Sequence, residues 1–126
     1  LGQTKLKEFA EQTATMFGGT ATFSYEYGTD VVDNSPVNAA RVRELATKAF
    51  GADRLFSEPK RCIGEDFSAY LNHVPGAFAY VGAENVEKNC CWPHHNGNFN
   101  VDEDALKIGA ELYVLYALDS LGAIED

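Results

Sequence analysis

The N-terminal part of the chain shows two different hydrophobic patterns, one after the other. Between residues 4 and 18 the apolar positions recur every three or four residues, which predicts an amphipathic helix that ends at Gly18 and Gly19. In the following stretch, TATFSYEY, apolar and polar side chains alternate, which predicts a half-buried strand over residues 20–27. The apolar face of this strand consists of Ala21, Phe23, Tyr25 and Tyr27.

A turn-rich stretch separates these two elements from the rest of the chain. It ends in Ser35, a favourable N-cap, and Pro36, a favourable first helical residue, so a second helix is predicted to begin there. That helix has one apolar face and is predicted to end at Gly51. The later patterns predict a short strand in RLFSEP, a short helix in GEDFSAYLNHVPG, a buried strand in AFAYVGA and a long helix from about Glu103 to Leu121.

The order of these elements indicates the fold class. After Pro36 the chain alternates helix, strand, helix, strand and helix, which favours an α/β fold with parallel strands joined by a right-handed crossover. The stretch before the linker supplies a single strand, and one strand cannot satisfy its own backbone hydrogen bonds. We therefore expect residues 1–28 to belong to a second domain that has other strands.

Composition narrows the range of functions. The 126 residues are enough for one domain, and no apolar run approaches the ~20 residues that a membrane-spanning helix needs. The formal net charge of −9 argues against a nucleic-acid partner, because such binding requires a basic surface. The three cysteines, two of them adjacent, argue against a disulfide framework and favour a reducing, cytoplasmic location.

The stretch CCWPHHNGNFNVDEDAL holds residue types that bind zinc-like metals well. His94 and His95 follow the predicted buried strand, and loops after such strands are where α/β proteins place their sites. Either histidine could instead be a surface residue or a hydrogen-bonded one. The residues alone leave both interpretations open.

Other polar residues have simpler structural interpretations. Cys90 and Cys91 lack the spacing of a zinc knuckle and suit plain thiols. The carboxylates of residues 102–104 suit a helix N-terminus, where they interact well with the helix dipole. Glu65 and Asp66 could form an acid–base pair, or they could cap the short helix that follows them.

Three motifs in the same order resemble the C-terminal part of a dimetal amidohydrolase family. This is the family of hippurate hydrolases, N-acyl-amino-acid deacylases and auxin-conjugate hydrolases, which are relatives of the aminoacylases and zinc carboxypeptidases. HNGNFNVDEDAL, which begins at His95, resembles the family's C-terminal metal-site motif. GEDFSAYLNHVPGAFAYVG looks like its other C-terminal signature, and VVDNSP is similar to the stretch where the chain returns from a lid domain to the catalytic domain.

The resemblance implies a domain organisation and a metal site. Residues 1–28 would be a remnant of an α+β lid and dimerisation domain, residues 29–36 a hinge linker, and residues 37–126 the C-terminal segment of a catalytic α/β domain. The family's active site holds two divalent metal ions (Zn, Mn, Co or Ni), and His95 matches the loop histidine that binds one of them. The other ligands and the glutamate general base precede this part of the family's chain. No catalytic residue is therefore expected here, and no substrate-binding residue is assigned.

Two functions are compatible with these observations. The first is a fragment of a metal-dependent amidohydrolase that hydrolyses the amide bond of N-acyl amino acids or similar small amides through a metal-activated water. The fragment alone is expected to be inactive and to bind metal weakly at most, so hydrolysis of hippurate by the pure chain would contradict this interpretation. The second is a non-enzymatic, acidic α/β interaction module. In both cases we expect residues 20–27 to pair with another copy of the chain, giving a homodimer or a larger assembly.

Overall fold

A computed structural model describes residues 2–123 of the chain. Its regular elements are α-helices, which are α1 (Gly2–Met16), α2 (Pro36–Phe50), α3 (Ser68–Leu71) and α4 (Asp104–Ser120), with a short 3-10 turn at Ala52–Arg54. No helix among the described residues is long and apolar enough to cross a membrane. The helices agree with the hydrophobic pattern, although α3 is shorter than its pattern and the 3-10 turn was not predicted.

Local sequence signals account for both ends of α2. The helix begins at Pro36, where the missing amide costs nothing because the first helical amides have no partner within the helix. Ser35 precedes it without a side-chain capping bond, and its amide donates instead to the carbonyl of Gly76 at 2.9 Å. At the other end Gly51 has a φ of 94°, a backbone conformation that residues with a Cβ rarely adopt, which accounts for glycine at this position. The predicted boundaries of α2 are confirmed.

The packing of α2 against α4 forms the centre of the described structure. Leu45 and Ala46, on α2, are two of the four buried residues in residues 2–123; the others are Ser68 and Cys90. Arg41 on α2 also binds both carboxylate oxygens of Asp119 on α4, with Nε 2.6 Å from Oδ2 and Nη2 donating to Oδ1. This fork-to-fork pair fixes the two helices in one relative orientation.

The stretches that were predicted as strands form no regular strand among the described residues, and Arg54, the first residue of RLFSEP, lies in the 3-10 turn. Within residues 2–123 there is no β-strand, and the one β-like contact is an isolated antiparallel bridge between Asn85 and Cys90. A strand is defined by its ladder of hydrogen bonds with a neighbour, and the described residues supply no such ladder to residues 20–27 or 77–83. The α/β fold class and the domain boundaries therefore stay predictions.

The predicted linker is hydrogen-bonded to the segment after α3. The side-chain amide of Asn34 makes two bonds to the backbone of Phe78, accepting from its N–H at 2.7 Å and donating to its carbonyl at 3.0 Å. Nearby, the Asn72 amide donates to the Asp30 carboxylate at 2.8 Å. The linker and the segment that leads to the candidate loop are thus held together by side chains.

Helix α1 differs from its expected packing. The pattern predicted one buried face, but α1 has no buried residue, and Phe9 and Met16 are 63% and 77% exposed. The Tyr27 hydroxyl donates to the Gln3 side-chain carbonyl at 2.7 Å, which brings the end of the aromatic stretch next to the start of the helix. The amphipathic pattern therefore predicted the helix correctly but not what covers its apolar face among the described residues.

Candidate metal-binding loop

A tight turn begins the loop that carries the two histidines. Asn85 and Cys90 exchange backbone hydrogen bonds, each N–H donating to the other's carbonyl at 2.8 Å. Asn89 closes the turn in the left-handed region with a φ of 57°, a conformation that asparagine tolerates better than most residues. Cys90 is only 5% exposed, whereas Cys91 is exposed, so the adjacent thiols lie in different environments.

A network of polar side chains joins this turn to the start of α4. The Lys88 ammonium lies 2.6 Å from a carboxylate oxygen of Asp102 and 2.6 Å from one of Asp104. The second carboxylate oxygen of Asp102 accepts from the Asn85 side-chain amide at 2.7 Å. The backbone N–H of Asp102 donates to the carbonyl of Ala83 at 2.9 Å. The two ends of the loop therefore meet at Asp102.

The ionisation of these groups follows from the same contacts. The hydrogen bond from Lys88 lowers the pKa of Asp102, with a further contribution from the Asn85 amide. Lys107 and Lys88 together lower the pKa of Asp104 to about 2. Hydrogen bonds to the two carboxylates raise the pKa of Lys88, so all three groups are charged at neutral pH.

The start of α4 depends on Asp102, as its sequence position suggested. A carboxylate oxygen of Asp102 accepts from the backbone amide of Asp104 at 3.2 Å. The backbone carbonyl of Asp102 accepts from the amide of Ala105 at 3.0 Å. These bonds satisfy amides that the first turn of a helix leaves without partners. Asp102 thus supports the helix and closes the loop at the same time.

The two histidines occupy different positions within the loop. The His94 ring packs against Phe99, with the ring centroids 4.7 Å apart, whereas His95 has a φ of 65° in the left-handed region. Both residues are exposed, and no other described residue is hydrogen-bonded to the His95 imidazole. Hydrogen bonds within the loop hold its backbone, including one from the Phe99 amide to the Asn96 carbonyl at 3.0 Å.

The other polar candidates have local partners. The Glu65 carboxylate accepts from the Phe67 amide at 3.2 Å, and the buried Ser68 hydroxyl donates to the Glu65 carbonyl at 2.8 Å. Both contacts organise the turn that leads into α3, which favours the capping interpretation of Glu65 over an acid–base role.

Sequence reasoning did not single out Asn85 or Lys88, because nothing in the local pattern places them opposite a carboxylate more than ten residues away.

The donor set for a metal ion is incomplete among the described residues. The exposed imidazole of His95 is a suitable donor for a zinc-like ion. Residues 2–123 contain no group of three or more His, Cys, Asp or Glu side chains that could hold a metal ion. The described residues therefore do not form a complete metal site by themselves.

Comparisons with known proteins cover almost the whole chain. Residues 4–119 match the sequence family described as "Peptidase family M20/M25/M40". The chain is 31% identical to thermostable carboxypeptidase 1 of Saccharolobus solfataricus over 119 residues, which are 92% of this chain and 30% of that protein. It is 31% identical to the N-acetyl-L-cysteine deacetylase of Bacillus subtilis over 106 residues, which are 82% of this chain and 24% of that protein.

A third relative has a similar name and a similar extent of match. The chain is 29% identical to the N-acetyldiaminopimelate deacetylase of Leuconostoc citreum over 107 residues, 84% of this chain and 26% of that protein. The chain thus spans less than a third of the length of these relatives. No solved structure gives a significant match to it. The family match extends over far more than half of the chain and includes all three motifs noted in the sequence, so the chain belongs to peptidase family M20/M25/M40.

Proposed function

We propose that this chain is part of a metal-dependent amidohydrolase in which His95 binds one of two divalent metal ions. The observation that carries the proposal is the position of His95, whose exposed imidazole stands on a left-handed backbone turn of a loop closed at its base. Family membership and relatives named as a carboxypeptidase and two deacetylases support a reaction at an amide bond. The substrate we propose is an N-acyl amino acid or a similar small amide.

The chemistry explains the choice of histidine. A bound divalent ion supplies a Lewis acid and lowers the pKa of a bound water toward about 7, so that the water can attack an amide at neutral pH. A neutral imidazole binds such an ion without cancelling its charge. The task of this chain is therefore to hold the His95 ring still and in a fixed direction. The remaining ligands and the general base would come from other parts of the complete protein.

The proposed domain organisation follows the same resemblance. Residues 1–28 would contribute to a lid and dimerisation domain, residues 29–36 would form the hinge linker, and residues 37–126 would belong to the catalytic domain. The bonds from Asn34 to Phe78 support a linker whose end is anchored on the catalytic side. In this arrangement the segment 77–83 runs directly into the candidate metal-binding loop.

The test is a pair of alanine substitutions in the complete protein. His95→Ala is expected to remove most of the hydrolysis of hippurate and N-acetyl amino acids, together with about one equivalent of bound metal. Its melting temperature should change little, because an exposed loop side chain contributes little to the core. Turnover, metal content and melting temperature are measured on the same preparations.

The matched control is His94→Ala, which changes the adjacent residue of the same type. The His94 ring lies against Phe99, so its loss should alter packing within the loop and leave metal content near that of the wild type. Wild-type activity and metal content in His95→Ala would refute the assignment. Equal losses in both variants would show that the loop matters but that His95 has no special role.

A further inference from the structure

The loop between Asn85 and Asp102 is closed by side chains from both of its ends. The Asn85 amide and the Lys88 ammonium, on the first side, bind different oxygens of the Asp102 carboxylate on the other side. Asp102 is well shielded, with a side chain 14% exposed, whereas Lys88 is 49% exposed. We call these three residues the loop clasp. Lys88 also donates to the Asp104 carboxylate at 2.6 Å, which adds a second bond from the first side of the loop to the start of α4.

The clasp matters because no hydrogen bond from residues 2–123 holds the His95 ring directly. A metal-binding histidine is commonly oriented by a hydrogen bond to its other ring nitrogen, and no such partner is present among residues 2–123. A φ of 65° at a residue with a Cβ is sparsely populated and persists only when the surroundings impose it. The direction of the Cα–Cβ bond of His95, from which the ring extends, is therefore set by the backbone of the loop. The loop backbone in turn depends on how its ends are joined.

The geometry points to Lys88 as a positioning residue for His95, acting by closing the loop through Asp102. It touches neither histidine and is not expected to contact substrate. The inferred effect on metal binding at His95 rests on the proposed function. The closing of the loop can be measured independently of metal binding. Lysine suits the role because its ammonium has three donors and can bind Asp102 and Asp104 at once.

The chain offers a matched control for the loss of the Lys88 charge. Lys107 also binds Asp104, at 2.8 Å, but lies within α4 and makes no bond to the loop. Lys88→Met and Lys107→Met therefore each remove a positive charge that binds Asp104, and only the first also removes a bond of the clasp. Lys88→Arg, which keeps a cationic donor, serves as the rescue variant.

The experiment measures two quantities on the complete, metal-free protein. Hydrogen exchange of the backbone amides in residues 91–101, of which Pro93 has none, reports the closure of the loop. Titration with Co²⁺ reports the affinity for metal. Lys88→Met is expected to speed exchange in residues 91–101 and to weaken binding of one cobalt ion by about tenfold. Lys107→Met should leave both quantities near those of the wild type, and Lys88→Arg should restore most of each.

The possible outcomes separate this inference from the proposed function. Unchanged exchange in Lys88→Met would overturn the clasp, whatever happens to metal binding. Faster exchange with unchanged cobalt affinity, in a protein whose His95→Ala variant does lose affinity, would also overturn the positioning role while the proposed function stands. If His95→Ala itself keeps full cobalt affinity, the proposed function is refuted. The role of Lys88 in positioning His95 for metal binding is then refuted as well.

Discussion

A single side-chain amide, that of Asn34, joins the linker to the segment that leads into the candidate loop. It accepts from the Phe78 N–H and donates to the Phe78 carbonyl, which is the pattern that a neighbouring strand would provide. Replacing it by leucine, which has a similar volume, should leave the Phe78 amide without a partner. We expect Asn34→Leu to speed exchange of that amide and to lower the free energy of unfolding by about 2 kcal/mol.

The aspartate variant separates the two bonds of Asn34. Asn34→Asp keeps an oxygen that accepts from the Phe78 N–H but loses the donor to the Phe78 carbonyl. The Phe78 amide should then remain protected from exchange while the protein is less stable than the wild type. If both variants exchange at the same fast rate, the acceptor oxygen of Asn34 is not what protects this amide.

At the scale of elements, prediction succeeded where the signal was local. Proline at the start and glycine at the end identified α2, since each residue acts through its own backbone. The predicted strands have no such local signal, because a strand depends on hydrogen bonds to a neighbour that can be distant in sequence. The loop clasp could not be predicted at all: Lys88 and Asp102 are 14 positions apart, and no periodic pattern relates them. His95 was singled out by resemblance, and its role as a ligand stays a prediction.

The contact between α2 and α4 should make stability depend on pH in acid. The hydrogen bonds from Arg41 lower the pKa of Asp119 below its ordinary value of 3.8. A carboxylate with a lowered pKa contributes stability that is complete above the unfolded-state pKa and is lost as the pH falls through the folded-state pKa. We therefore expect the stabilisation from Asp119 to disappear progressively below about pH 3.8.

The substitution Asp119→Asn tests this dependence by urea unfolding at several pH values. It should lower stability at neutral pH and flatten the loss of stability in acid, because the variant has no carboxylate to protonate. Glu44→Gln is the control, since Glu44 binds the same guanidinium at 2.8 Å but lies on α2 with it and joins no second helix. An equal loss of stability in both variants at neutral pH would mean that the link between the helices has no special effect.

At the scale of the whole molecule, the aromatic stretch at residues 20–27 remains largely uncovered among the described residues. Tyr25 and Tyr27 pack edge to face with their ring centroids 5.0 Å apart, yet they are 45% and 75% exposed. Exposed aromatic side chains beside an extended backbone that lacks inter-strand hydrogen bonds form a favourable surface for pairing with another chain. The Tyr27–Gln3 hydrogen bond ties this stretch to α1 but satisfies none of its backbone amides.

We predict that, in the isolated 126-residue chain, residues 20–27 form a ladder with a strand of another copy of the chain, giving a dimer or a larger assembly. Proline is introduced separately at position 24 and at position 25, and at least one of the two variants should assemble more weakly. Successive amides of a strand point to opposite edges, so one of the two prolines removes a hydrogen-bond donor from the paired edge. Tyr27→Phe is the control, since it removes only the hydroxyl that binds Gln3 and leaves every backbone donor in place. Sedimentation measures the assembly, and exchange of amides 20–27 measures the ladder. A strictly monomeric 126-residue chain with these amides protected would contradict the prediction, since the ladder would then have a partner within the same chain.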